Sequence, residues 1–97
     1  MSTGQTRPDV ITACFAVRVA ADAGILSRLI EPFAKRDLVP SSVHARLTGA
    51  ARDMLSVDLQ IDGLEPALAE IIAETIRQMV SVERVLLAPM LAAADAA

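Results

Sequence analysis

The feature that most constrains the fold is a strict alternation in the middle of the chain. Apolar residues at every second position are separated by polar ones over Leu55, Ser56, Val57, Asp58, Leu59, Gln60 and Ile61. Successive side chains of a β-strand point to opposite faces, so this strand has one apolar face and one polar face. The pattern predicts a sheet that is covered on one side only.

Three further segments predict the other strands of such a sheet. Residues 10–20 place Phe15, Val17 and Val19 on one face and Cys14, Ala16 and Arg18 on the other. Residues 38–47 alternate Val43, Ala45 and Leu47 with Ser42, His44 and Arg46. A last strand is expected over 82–88, where Pro89 would stop it.

Two segments carry the 3.6-residue period of amphipathic helices. The first stripe is Ile25, Leu26, Leu29, Ile30 and Phe33, with Asp22 as the expected N-cap and with Pro32 expected to kink the helix. The second stripe is Leu64, Leu68, Ile71, Ile72, Ile76 and Met79, with Pro66 in the first turn, where proline is tolerated.

The resulting order is β-α-β-β-α-β. It predicts a ferredoxin-like α+β fold, with one four-stranded antiparallel sheet and two helices on one face. The 97 residues suffice for one domain, which we expect over 10–88. Residues 1–9 are interpreted as a flexible leader and residues 89–97 as a flexible tail.

Composition argues against several classes of function. A net charge of −3 without a Lys/Arg run argues against a nucleic-acid surface. No apolar run is long enough for a membrane span, and no signal sequence is recognisable, so a cytoplasmic protein is the expectation. The single Cys14 excludes an internal disulfide and a CxxC site, and we interpret it as a buried, inert thiol.

No catalytic or metal-binding constellation is visible, so neither catalytic residues, a metal nor a cofactor is expected. His44, the only histidine, shares the predicted helix-free face of the sheet with Arg18, Arg46 and Asp58. A catalytic histidine needs an orienting carboxylate and a nucleophile or metal partner. We therefore interpret these four residues as a wet surface or as an interface with a partner protein.

The junction around Gly24 allows two interpretations. A glycine before a helix lets another main chain approach closely, and the free N–H groups of the first helical turn can hold a carboxylate. Alternatively, Gly24 only eases a tight turn.

Several short motifs occur in a fixed order along the chain. They are the Gly-Ile-Leu-Ser-Arg helix start at 24–28, Phe33, Arg36, Ser42-Val43, the alternating third strand and Met-Val-Ser-Val at 79–82. In these elements the chain resembles an ACT domain from Phe15 to Leu87. It is most similar to the small regulatory subunit of acetohydroxyacid synthase (acetolactate synthase).

The resemblance implies a homodimer joined through the edges of the second strands. It also implies an amino acid bound between the glycine loop of one protomer and the second strand of the other. The implied ligand-binding residues are Asp22, Ala23, Gly24, Ile25, Leu26 and Val39. Ala21 and Val39 replace two asparagines that hold the ligand in the family, so valine is expected to bind weakly or not at all.

Two hypotheses of function follow. In the first, the chain is a non-catalytic subunit that binds and activates a large catalytic subunit of the acetohydroxyacid synthase type. In the second, it is a free-standing sensor of a small molecule, with an altered ligand preference. A third hypothesis, an enzyme of the dimeric ferredoxin-like kind, has no constellation of residues to support it.

Overall fold

A computed structural model of the protein describes residues 10–90. Its elements follow the order β-α-β-β-α-β. They are β1 Ile11–Ala20, α1 Ile25–Ala34, β2 Ser42–Thr48, β3 Met54–Leu64, α2 Pro66–Arg77 and β4 Val82–Met90. The predicted leader (1–9) and residues 91–97 of the predicted tail lie outside the described residues.

The four strands form one antiparallel sheet in the order β2-β3-β1-β4. In the two central strands Val17 lies opposite Val57, and on its other side Val17 lies opposite Val85 of β4. This topology confirms the ferredoxin-like fold predicted from the order of elements. It leaves β2 and β4 as the two edges of the sheet.

The core lies between the helices and one face of the sheet. Alternate strand residues and one stripe from each helix are buried there, among them Phe15, Val17, Val19, Ile25, Leu29, Phe33, Val57, Leu59, Ile61, Ala69, Ile72, Ala73, Ile76 and Val85. The rings of Phe15 and Phe33 meet edge to face with their centroids 5.2 Å apart, a favourable arrangement for aromatic rings. This contact joins α1 to the central strand β1.

Two predicted strand boundaries were wrong. β2 begins at Ser42 and not at Leu38, because the Leu38 N–H is used at the end of α1, where it donates to the Phe33 carbonyl at 3.0 Å. Pro40, which has no N–H, also precedes the strand. β4 continues through Pro89, which lies opposite Ala13, because an edge strand can accommodate a residue without an N–H.

Several helix details also differ from expectation. The N-cap of α1 is Gly24, and Asp22 makes no side-chain cap. Pro32 lies within α1 and is buried. Leu26 and Ile71, predicted to be buried, are 40% and 53% exposed. Both lie on the margin of an apolar stripe, and periodicity alone does not locate that margin.

Candidate functional site

The loop between β1 and α1 is held by main-chain hydrogen bonds. The Ala21 N–H donates to the Asp53 carbonyl at 2.9 Å, and the Ile25 N–H donates to the Asp22 carbonyl at 3.0 Å. The Arg28 guanidinium donates from Nη2 to Asp22 Oδ2 at 2.8 Å, and both side chains are about half exposed. The loop is therefore ordered but open to solvent.

A hollow of about 410 Å³ lies at the start of α1. It is lined by Ala21, Asp22, Ala23, Ile25, Leu26, Leu47 and Leu55. Four of the six residues predicted to bind a ligand line this hollow, and Gly24 lies within the same segment. Val39 does not line it and is 82% exposed. Apart from Asp22, the side chains of the wall are apolar.

Neither a left-handed backbone nor a lack of space requires a glycine at position 24, although glycine suits the N-cap position that it occupies. Its backbone lies at φ −93° and ψ 3°, a region that residues other than glycine also adopt in turns. A Cβ added there would meet only Arg28 Nη1, at 3.5 Å, which is an ordinary contact with the end of a flexible side chain. A tight turn therefore does not explain this glycine, whereas the close approach of another group remains compatible with it.

The strand β2 is covered less than its pattern predicts. One of its edges pairs with β3, and within residues 10–90 no strand pairs with the other edge. Val43 and Leu47 have the alternation of core residues, yet they are 45% and 44% exposed. Periodicity identified an apolar face here but could not show that the chain's own helices leave it uncovered.

The outer side of α1 continues this apolar surface. Leu26 shares the hollow at the helix start with Leu47, and Leu26 and Ile30 line a wider groove of about 630 Å³ along the helix. We call Leu26, Ile30, Val43 and Leu47 the β2–α1 patch. An apolar surface of this kind beside a free strand edge is typical of a binding site.

The opposite, helix-free face of the sheet carries the four residues predicted to contact a partner. His44 lies directly opposite Asp58, and Arg46 and Arg18 flank Ser56 in the adjacent row. Arg18 donates from Nε to Glu83 Oε1 at 2.6 Å. The four residues share one face, as alternation predicts, and their role as an interface stays a prediction.

A second hollow, of about 450 Å³, lies in the middle of this face. Its lining includes Cys14, Ala16, Ser42, His44, Asp58, Gln60, Leu86 and Ala88. Cys14 is half-buried, not buried as predicted, because it belongs to the face that the helices do not cover. Leu86 is 55% exposed, and the last-strand pattern gave no indication of this exposed leucine.

Two kinds of feature were not found among residues 10–90: a metal-binding cluster and a membrane-spanning helix. Within 10–90, no cluster of three or more His, Cys, Asp or Glu residues could hold a metal ion. None of the helices in this range is long and apolar enough to cross a membrane. Its ion pairs join Arg18 to Glu83, Arg28 to Asp22 and Arg77 to Glu74, and none involves His44.

Comparison with solved structures finds the same fold in distant proteins. The C-terminal domain of the MgtC protein from Mycobacterium tuberculosis is 12% identical, with a TM-score of 0.67 over 87% of this chain and 92% of that domain. The ACT domain from GTP pyrophosphokinase of Chlorobium tepidum is 13% identical, with a TM-score of 0.67 over 81% of this chain and 99% of that domain. At these identities the similarity shows the fold alone.

Comparison by sequence identifies a family. No curated protein matches the chain. The family model described as ACT-like domain matches residues 6–94, which is most of the chain and includes both the hollow at the start of α1 and the free edge of β2. The chain belongs to the family of ACT-like domains.

Proposed function

We propose that this chain is a regulatory domain that dimerises through β2 and binds a small ligand at the dimer interface. ACT domains are generally regulatory, and they commonly dimerise and bind amino acids. The proposal goes beyond the family in assigning both properties to particular surfaces. These surfaces are the free edge of β2, the β2–α1 patch and the hollow at the start of α1.

The observation that carries the proposal is the free edge of β2 with its exposed apolar side chains. Unpaired strand edges are prone to aggregation, and a second copy satisfies the backbone groups of β2 through a two-fold contact. The same two-fold axis brings the partner's α1 toward the uncovered side of β2. There Val43 and Leu47 lose their exposed area to the apolar stripe of the partner's helix, which stabilises the dimer.

The ligand is assigned to the hollow at the start of α1. The N–H groups of Leu26 and Ser27 have no main-chain acceptor among the described residues, and N–H groups at this position can hold a carboxylate. Asp22 is the only acidic side chain in the lining and can accept from an ammonium group. In a dimer, Val39 closes the site from the partner's side.

The regulated protein is assigned to the acetohydroxyacid synthase type, because of the resemblance to its small subunit. The alternative is a free-standing sensor of a small molecule. Co-purification separates the two hypotheses: a regulatory subunit retains a large thiamine-diphosphate enzyme, and a sensor does not. Activation of that enzyme on addition of this chain would support the first hypothesis.

The dimer is tested by placing a charge on the exposed side of β2. Because Leu47 is 44% exposed, Leu47→Glu should be tolerated by the folded protomer but should disrupt the dimer. Ile71→Glu is the matched control, since Ile71 is a 53% exposed apolar residue on α2. Sedimentation velocity should show the mass of a single chain for Leu47→Glu only. A wild-type chain that stays monomeric at micromolar concentration would contradict the proposal.

A further inference from the structure

We propose that the helix-free face of the sheet binds the same face of a second copy, so that two β2-edge dimers stack into a tetramer. The inference rests on the proposed function for the edge dimer, which doubles the area available for stacking. Its evidence is independent of that edge. It comes from the distribution of charge and of side-chain size on the helix-free face.

Two adjacent rows across the strands of this face hold Arg46, Arg18, Arg84 and Asp58. Asp62, which accepts a hydrogen bond from Thr12, lies beyond these rows along β3. The register aligns Arg46, Ser56, Arg18 and Arg84 in one row. The next row contains His44, Asp58, Ala16 and Leu86. Side chains on one face of a strand repeat about every 6.8 Å, so a cationic row adjoins a row that carries a carboxylate. One of the three arginines, Arg18, is partly neutralised by Glu83.

The two rows also differ in size. Long arginine side chains project from the first row, whereas the second row borders the hollow of about 450 Å³. That hollow exists because Cys14, Ala16 and Ala88 are small residues at the middle of the sheet. The face therefore presents a cationic ridge beside a depression that contains Asp58. The ridge is complementary to the depression both in shape and in the sign of its charge.

In the proposed stack, a two-fold axis lies between the two faces and runs perpendicular to the strands. Each of the two rows of one copy then faces the other row of the second copy. The arginine row of one copy then lies over the hollow of the other. Asp58 faces Ser56 of the second copy, between Arg46 and Arg18 of that copy, and Leu86 lies under the aliphatic stem of Arg84. A two-fold axis along the strands would instead place arginines over arginines. Charge complementarity therefore selects the first arrangement.

The stack is compatible with the edge dimer. The boundary between the two rows crosses β2 at Ala45, the middle residue of Ser42–Thr48. If the whole of β2 pairs antiparallel with β2 of a second copy, the two-fold axis of this edge contact also passes the strand at Ala45. The two contacts can therefore coexist in one closed, symmetric tetramer.

The available area explains why stacking needs the edge dimer. Four strands about 4.8 Å apart and about seven residues long present roughly 450 Å² per protomer. A stable interface usually buries about 800 Å² on each side. The merged eight-stranded sheet reaches this size, and a single protomer does not. Tetramers should therefore form from edge dimers, and edge-deficient variants should stay monomeric.

The experiment introduces an arginine at the centre of the face and measures mass by sedimentation velocity. Ala16→Arg fills the hollow with charge at an exposed position, so the protomer should fold normally. Ala67→Arg, at an exposed position of α2, is the matched control. We expect four times the chain mass for the wild type and for Ala67→Arg, twice the chain mass for Ala16→Arg, and the chain mass for Leu47→Glu.

A charge exchange tests the arrangement itself. Asp58→Arg should reduce the tetramer to dimers, and Arg46→Asp in the same chain should restore the tetramer, because the second copy then places a carboxylate beside the new arginine. Melting temperatures of the variants show whether each protomer is folded. If the exchange fails to restore the tetramer in a folded protein, the proposed orientation of the stack is overturned.

The failure of this inference is distinguishable from that of the proposed function. If the wild type is a dimer that is dissociated by Leu47→Glu but not by Ala16→Arg, the stack is overturned and the edge dimer is kept. The face would then remain open to a catalytic partner. If instead the wild type is a dimer that is dissociated by Ala16→Arg but not by Leu47→Glu, the edge dimer is overturned. A tetramer insensitive to Ala16→Arg would also overturn the stack.

Discussion

Arg28 reaches back across the turn that begins α1 and donates from Nη2 to Asp22 Oδ2 at 2.8 Å. Both side chains are about half exposed, and an ion pair of this kind contributes little to stability because solvent screens it. Arg28→Ala should therefore change the free energy of unfolding by no more than about 1 kcal/mol. Urea denaturation measures this change, and a clearly larger loss would mean that Arg28 holds the loop in place.

The same substitution at two glycines should destabilise the protein to different extents. Gly63→Ala should destabilise the protein by roughly 1–2 kcal/mol, because Gly63 has φ +67°, where a Cβ is disfavoured. Gly24→Ala should cost less than about 1 kcal/mol, through the poorer N-cap alone, since its φ is negative and its Cβ would meet only Arg28.

Thermal denaturation of both variants tests this contrast. If Gly24→Ala lowers stability as much as Gly63→Ala, the glycine is structural and its proposed place at the ligand site loses its support. If Gly24→Ala is stable but impairs ligand binding, the close approach of a ligand explains the glycine.

The aromatic contact between β1 and α1 should be a major contributor to stability. Phe33 is fully buried and meets Phe15 edge to face. Phe33→Ala should cost about 3–5 kcal/mol, because it leaves a cavity as well as removing apolar contacts. Leu26→Ala, on the exposed margin of the same helix, is the control and should cost much less. Equal losses would contradict the placement of the core.

Valine should bind weakly or not at all. The resemblance to the small subunit of acetohydroxyacid synthase implies that Ala21 and Val39 replace two asparagines, and each missing hydrogen bond to a charged ligand costs about 1.5–3 kcal/mol. Each loss corresponds to about tenfold or more in affinity. Titration calorimetry should therefore find no micromolar binding of valine to the wild type.

The double variant Ala21→Asn with Val39→Asn should gain affinity for valine. Each position alone should have a smaller effect, because one asparagine restores only part of the lost hydrogen bonding. Tight binding of valine by the wild type would refute this account of the site. A folded double variant with no gain would show that the ligand lies elsewhere.

Arg18 and Arg46 should be dispensable for folding. Both lie on the helix-free face, and the Arg18 pair with Glu83 is partly exposed. The double variant Arg18→Ala with Arg46→Ala should keep its melting temperature and its β2-edge dimer, while contacts made through the helix-free face weaken. A large drop in melting temperature would mean that the two arginines support the sheet.

The sequence was sufficient to predict the fold because two independent periods run through it. The alternation of Leu55 to Ile61 requires a sheet with one dry face, and the stripes of the two helices supply its cover. The short connection between β2 and β3 gives their antiparallel pairing, and right-handed crossovers through α1 and α2 give the remaining strand order. The ends of the elements were harder to predict, as Pro89 shows. A proline ends a strand where its missing N–H would have to pair with a neighbouring strand, but not where that side of the strand is an unpaired edge.

The sequence by itself determined which side chains share a face, since that depends only on local backbone geometry. His44 and Asp58 were placed together on this basis, and they lie opposite each other. Only the tertiary structure decided which faces are covered. Val43 and Leu47 have the same pattern as Val57 and Leu59, yet they remain about half exposed while the others are buried. Burial depends on the elements that pack above a strand, and no local period specifies them.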